Sequence, residues 1–155
     1  MRGLMDLVAG DVRDIVLALS IDDVAAFDDA DRFTAHLALG GGLDPTWLDL
    51  FSEAARGATG EDDPVDFLDA RSELPDASAA SERIVERVDP AWVAAVARIG
   101  DERLGPLAAR WIELLEEELG RLPSDEKPWI RDLTAQIITF ARRAGMSDVV
   151  FAWAF

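Results

Sequence analysis

Proline and glycine divide this chain into short segments, and most of these segments carry apolar residues at helical spacing. The Asp-Pro pairs at residues 44–45 and 89–90 are typical helix starts, because aspartate caps the first turn and proline suits the first helical position. Gly100, Gly120 and Gly145 stand where helices are expected to end. This punctuation predicts a mainly α fold, a compact single-domain bundle of about six short helices.

The two longest amphipathic segments lie in the second half of the chain. Apolar residues recur at helical spacing over residues 107–119 and again over 129–140, so each segment is predicted to bury one helix face. In the first half, residues 33–39 fit a shorter helix that ends at the triple glycine 40–42. Four tryptophans fall on the helical stripes and are predicted to be core residues: Trp47, Trp92, Trp111 and Trp129.

Two segments have the composition of β-strands. Residues 84–88 and 149–153 are rich in Val, Ile and aromatic residues, and we expect them to form one short strand pair. Residues 72–82 hold Pro75 and three serines and are expected to form a loop between the two halves of the chain. Each half is small for an independent core, so residues 1–155 are predicted to form a single acidic helical domain, with this loop as its candidate internal boundary.

The composition excludes several chemistries. The 155-residue chain has no Cys, which excludes disulfides, zinc–thiolate sites, iron–sulfur clusters and thiol nucleophiles. No run approaches the roughly 18 apolar residues of a membrane span, and the first residues reach an acid too early for a signal peptide. An Arg-rich and Ala-rich chain with one Lys is typical of a GC-rich bacterial genome. We therefore expect a bacterial protein located in the cytoplasm.

The charge is strongly negative and unevenly distributed. The formal net charge is −16, and residues 1–78 hold 18 Asp and Glu against 5 Arg. Such a surface repels nucleic acid and anionic membranes, so neither is expected as a partner. A basic protein is the partner that the charge favours, although the same acidity would also serve solubility alone.

Five aspartates crowd into one short segment between two predicted helices. They are Asp22, Asp23, Asp28, Asp29 and Asp31. Together with Trp153, in the apolar C-terminal strand, they are the candidate partner-binding residues. Exposed apolar termini mark interfaces, so a homodimer through that strand is also considered. No catalytic, cofactor-binding or metal-binding residue is assigned, and no cofactor is expected.

His36 is the single histidine of the chain. The simplest interpretation places it, partly buried, at the C-terminal end of the predicted helix 33–39, where the helix dipole favours its protonated form. We therefore expect a non-enzymatic protein-binding or regulatory module that uses its acidic N-terminal half. The alternative is a carboxylate and divalent-metal-dependent enzyme with a site around residues 22–31 and His36.

Overall fold

The computed structural model describes residues 4–39, 43–59, 66–123 and 126–154. These residues form five strands and six α-helices, with single 3₁₀ turns at Val24–Asp28 and Asp101–Arg103. The strands are β1 (Leu4–Gly10), β2 (Ala35–Ala38), β3 (Arg71–Glu73), β4 (Ile84–Val88) and β5 (Asp148–Ala154). The helices are α1 (Val12–Ser20), α2 (Pro45–Thr59), α3 (Pro75–Ala80), α4 (Pro90–Ala97), α5 (Leu104–Leu119) and α6 (Glu126–Ala144).

The strands form one antiparallel sheet in the order β2-β1-β5-β4-β3. The prediction of a mainly α, all-helical bundle is therefore wrong, because a five-stranded sheet lies between the helices. The predicted strand pair does exist, with Ile84 opposite Trp153 and Val88 opposite Val149. It is one part of the larger sheet, since β5 also pairs along its other edge with β1.

Helices cover both faces of the sheet. On one face, α2, α4, α5 and α6 build the larger core against alternate sheet residues such as Leu7, Val88 and Phe151. On the other face, α1, α3 and the segment around Phe27 build a smaller core against Val8 and other intervening residues. The protein is thus a three-layer α/β/α structure in which the sheet is the shared middle layer.

Three of the five strands were not predicted, and β1 and β2 were missed for different physical reasons. β1 is covered on both faces, so its sequence is a nearly continuous apolar run without the alternation that marks a half-exposed strand. β2 has the sequence Ala-His-Leu-Ala, which has little strand propensity, and the helix predicted over residues 33–39 is wrong. Sheet pairing, a non-local interaction, decides its conformation. The expected stop at residues 40–42 lies outside the described residues.

Residues 72–82 are more ordered than the loop predicted there. They contain the end of β3 and the whole of α3, and β3 pairs with β4 across this segment. Of the helices formed by the described parts of the chain, none has the length and apolar composition needed to cross a membrane.

Ser52 in α2 links two helices of the larger core. Its hydroxyl donates to the Leu48 carbonyl at 3.1 Å and accepts the Trp92 indole N–H at 2.8 Å, and all of these atoms are away from solvent. Replacing Ser52 with Ala leaves the indole N–H buried without this acceptor. We expect the free energy of unfolding to fall by about 1–3 kcal/mol, measured by urea denaturation. Ser20→Ala, which removes an exposed serine–backbone bond, should change it by less than about 0.5 kcal/mol.

Candidate functional site

Four charged side chains meet on the face of the sheet that α1 and α3 cover, and we call them the polar cluster. The His36 ring lies between two carboxylates, with Nε2 at 2.7 Å from Asp6 Oδ1 and Nδ1 at 2.8 Å from Asp28 Oδ1. The second oxygen of Asp6 accepts from an Arg83 guanidinium nitrogen at 2.6 Å. The side chains of Asp6, His36 and Arg83 are each at most 10% exposed, whereas that of Asp28 is 77% exposed.

The sheet register brings three of these residues together. Asp6 lies opposite Ala38 on one side and Ala152 on the other, and His36 lies opposite Val8. His36 is therefore a diagonal neighbour of Asp6 on the same face, within reach of a long side chain. Because position 152 is an alanine, Arg83, the residue before β4, can extend over β5 to the Asp6 carboxylate. Asp28, at the end of the 3₁₀ turn Val24–Asp28, contacts His36 from above the sheet.

His36 makes hydrogen bonds that only its protonated form satisfies. Carboxylate oxygens are acceptors, so both ring nitrogens must donate, and a neutral imidazole has one N–H. Burial by itself would lower the pKa of His36, but the hydrogen bonds to Asp6 and Asp28, with the attraction of both carboxylates, raise the pKa above its ordinary value of 6.5. The positively charged form is the one that this site stabilises.

Asp6 is held in its ionised form by the same contacts. Burial works to raise the pKa of this carboxyl, but the hydrogen bonds from His36 and Arg83 and the charges of both outweigh it, so the pKa is lowered. Asp6 therefore stays negative while it bridges two cations. The result is a chain of alternating charge that runs from buried Arg83 through Asp6 and His36 to exposed Asp28.

The raised pKa of His36 makes the stability of the fold depend on pH. The folded state binds the proton more tightly than the unfolded state, so this contribution is complete below pH 6.5 and is lost as the pH rises through the raised pKa. We expect the free energy of unfolding to be higher for wild type than for His36→Gln. The difference between the two proteins should shrink above pH 6.5, by about 1.4 kcal/mol for each unit by which folding raises the pKa of His36. Chemical denaturation of both proteins between roughly pH 5.5 and 9.5 measures this difference. A difference that grows with pH would contradict this assignment.

A second group of charged residues lies on the opposite face of the sheet. Arg71, 5% exposed, contacts Glu86 at 3.1 Å and stacks over the Phe67 ring at 4.9 Å. Burial raises the pKa of Asp49, whose nearer oxygen is 3.7 Å from Arg71. Trp153 donates its indole N–H to Glu86 at 2.7 Å. These contacts connect β3, β4 and β5, which gives the group a clear structural role.

The predicted partner-binding residues take different positions. Asp22, Asp23, Asp29 and Asp31 are exposed on the surface, as is Asp28, and Asp28 alone among the five contacts His36. Trp153 is partly buried against the larger core, and its strand β5 is hydrogen-bonded on both edges in the middle of the sheet. The C-terminal strand is thus an internal element of the sheet.

An exposed apolar pair precedes the acidic aspartates. Leu17 is 57% exposed and Ile21 is 65% exposed. They lie one helical turn apart, at the end of α1, and the Ile21 N–H donates to the Leu17 carbonyl. Residues four apart are neighbours on a helix surface. The acidic segment, residues 22–31, therefore starts directly beside a small apolar patch.

Asp6 and Arg83 were not identified from the sequence. The sequence did contain one signal for Asp6, because it is the single charged residue in the apolar run Leu4–Gly10. A carboxylate in such a run needs a buried partner. No local signal marks Arg83, since 76 residues separate it from Asp6.

The interpretation of His36 as the end of a helix is corrected, because the residue lies in β2. Among the described residues, no group of three or more His, Cys, Asp or Glu side chains is arranged to hold a metal ion.

Comparison of the chain with models of known protein families, with characterised proteins and with solved structures gives no match.

Proposed function

We propose that this protein is a non-enzymatic binding module that docks a basic protein segment on the acidic segment, residues 22–31, and the adjoining end of α1. The observation that carries the proposal is the juxtaposition of five exposed aspartates with the exposed pair Leu17 and Ile21. Apolar side chains supply contact area, and the surrounding acids select a partner of opposite charge. A basic segment with apolar side chains is the occupant that this surface fits.

The charge distribution supports the same partner. In sequence, the aspartates of the acidic segment are followed by Arg32, whose guanidinium carbon lies over the Phe33 ring, 5.3 Å from its centroid. A dense, exposed field of one sign accelerates encounter with an oppositely charged surface and repels nucleic acid and anionic lipid. We further propose that the protein acts in the cytoplasm, where a chain without Cys folds without needing an oxidising environment.

Capture from a lysate of the source cells tests this proposal with two matched variants. In the first, Asp22, Asp23, Asp29 and Asp31 become Asn, which leaves the polar cluster untouched. In the second, four exposed acids on the other side of the sheet become amides: Glu113, Glu117, Glu118 and Asp132. Both variants lose four negative charges, so non-specific electrostatic binding falls equally in both.

The expected result is a basic protein retained by wild type and by the second variant and lost with the first. Replacing Leu17 and Ile21 with Ser should also weaken retention, because the apolar contact is removed. Salt should release the complex, since the exposed charges are screened beyond a Debye length of about 8 Å at physiological ionic strength. Equal retention by all variants, or equal loss from both four-charge variants, would overturn the proposal.

A further inference from the structure

The acidic segment is attached to the sheet through His36, and the attachment has two unequal ends. At one end, Asp6 is buried and also held by Arg83. At the other, Asp28 ends the single 3₁₀ turn Val24–Asp28 and is 77% exposed. A carboxylate that is already mostly hydrated can leave His36 at little cost, whereas the Asp6 carboxylate cannot leave without stranding a buried guanidinium.

Loss of one proton from His36 changes only one of these contacts. The neutral ring keeps one N–H, and the buried, doubly held Asp6 is the acceptor that most needs it. The lone pair on Nδ1 then faces Asp28 Oδ1 at 2.8 Å, and two acceptors at that distance repel each other. The repulsion is relieved when Asp28 turns into water.

We propose that His36 is a proton-operated latch on the acidic segment: its imidazolium holds Asp28 against the sheet, and its neutral imidazole releases Asp28. Within the described ranges, few charged groups surround the ring. β1 contributes Asp6, the 3₁₀ turn contributes Asp28, and the residue before β4, Arg83, acts by way of Asp6. From α6, Arg143 lines a groove shared with His36. The two carboxylates make direct contact with the ring, and they also account for its raised pKa.

The release is confined to the end of the acidic segment. Phe27 stays buried, with its ring centroid 5.2 Å from that of Phe33 and 5.4 Å from that of His36. Beyond it, three backbone–backbone hydrogen bonds define the chain path: the Asp29 N–H donates to the Ala26 carbonyl, and the N–H groups of Arg32 and Phe33 donate to the Asp29 carbonyl. These amides are therefore the direct reporters of the latch.

The latch also regulates docking, a consequence that rests on the proposed function. When His36 is protonated, Asp28 is neutralised by an ion pair and residues 28–31 are fixed. When His36 is neutral, Asp28 is free to pair with a basic partner, and the surface gains one negative charge. A basic segment should then bind more tightly above the pKa of His36 than below it, and by linkage its binding should lower that pKa.

Nuclear magnetic resonance of the free protein tests the latch without any partner. The chain has one His, so a single imidazole titration reports the pKa of His36. Across that titration, amide hydrogen exchange is measured at Asp29, Arg32 and Phe33. The rates are converted to protection factors, which correct for the pH dependence of intrinsic exchange. We expect protection to fall as His36 loses its proton, about tenfold for each unit by which the pKa of the closed form exceeds that of the open form.

Two variants with the same change of charge separate the latch from general electrostatics. In Asp28→Asn, the amide can accept from the imidazolium or donate to the neutral ring, so protection should become independent of His36 ionisation. In Asp31→Asn, an exposed acid away from His36 is lost, and protection should follow the wild-type curve. Constant protection in the wild type, or the same change in both variants, would overturn the latch. Neither result bears on docking, which the capture experiment decides by itself.

Discussion

Replacing Asp6 with Ala is expected to lower the free energy of unfolding by about 3–5 kcal/mol. The substitution leaves the Arg83 guanidinium and the His36 ring in the interior without the carboxylate that bridges them at 2.6 and 2.7 Å. Removing one member of a buried ion pair costs more than the pair contributes, because the remaining charge stays desolvated. Denaturation by urea near pH 6, where all partners are charged in wild type, measures the loss.

An exposed acid provides the control for Asp6. Asp31→Ala removes the same side chain from the acidic segment and should change the free energy of unfolding by less than about 0.5 kcal/mol. Combining Asp6→Ala with Arg83→Met should recover part of the loss, since the second substitution removes the stranded charge. A loss at Asp6 no greater than that at Asp31 would show that the polar cluster does not stabilise the fold.

Trp111→Ala is also expected to have a large effect, lowering the free energy of unfolding by about 3–5 kcal/mol. The Trp111 ring is fully buried and packs edge-on against two other rings, with its centroid 5.1 Å from that of Phe51 and 6.4 Å from that of Trp47. Its indole N–H donates to the Trp47 carbonyl at 2.9 Å. Truncation leaves a cavity between α2 and α5 and an unpaired carbonyl. Thermal and urea unfolding should both report the loss.

Trp129 is the matched control for this truncation. The sequence predicts Trp129 as a core residue, but it is 40% exposed on α6. Its ring packs edge-on against that of Trp47, with the two centroids 6.1 Å apart. Trp129→Ala should therefore cost less than about 2 kcal/mol, because water already reaches part of the ring and no closed cavity forms. Equal losses at the two positions would mean that the larger core does not depend on the Trp111 contacts.

Several helix boundaries were predictable because their signals are local, whereas α3 was predicted as a loop and the helix predicted over residues 33–39 is a strand. Pro45 and Pro90 each start a helix, where the preceding aspartate accepts a backbone N–H, from Thr46 in one case and Ala91 in the other. Gly120 and Gly145 end helices at φ +91° and φ +56°, values that glycine adopts without a steric penalty. A cap or a terminating glycine acts on residues within one turn, so the sequence contains the whole interaction.

The sheet and the polar cluster depended on contacts between distant parts of the chain. β1 pairs with β5, which brings the two ends of the sequence together, and β2 becomes a strand because β1 offers it an edge. His36 acquires its partners from positions 30 and 8 residues away in sequence, and Asp6 acquires Arg83 from 77 positions away. The sequence by itself determined the starts of α2 and α4, the ends of α5 and α6, and that five aspartates stand together. Only the tertiary structure decided which of them meets a histidine, because strand register and burial are properties of the assembled sheet.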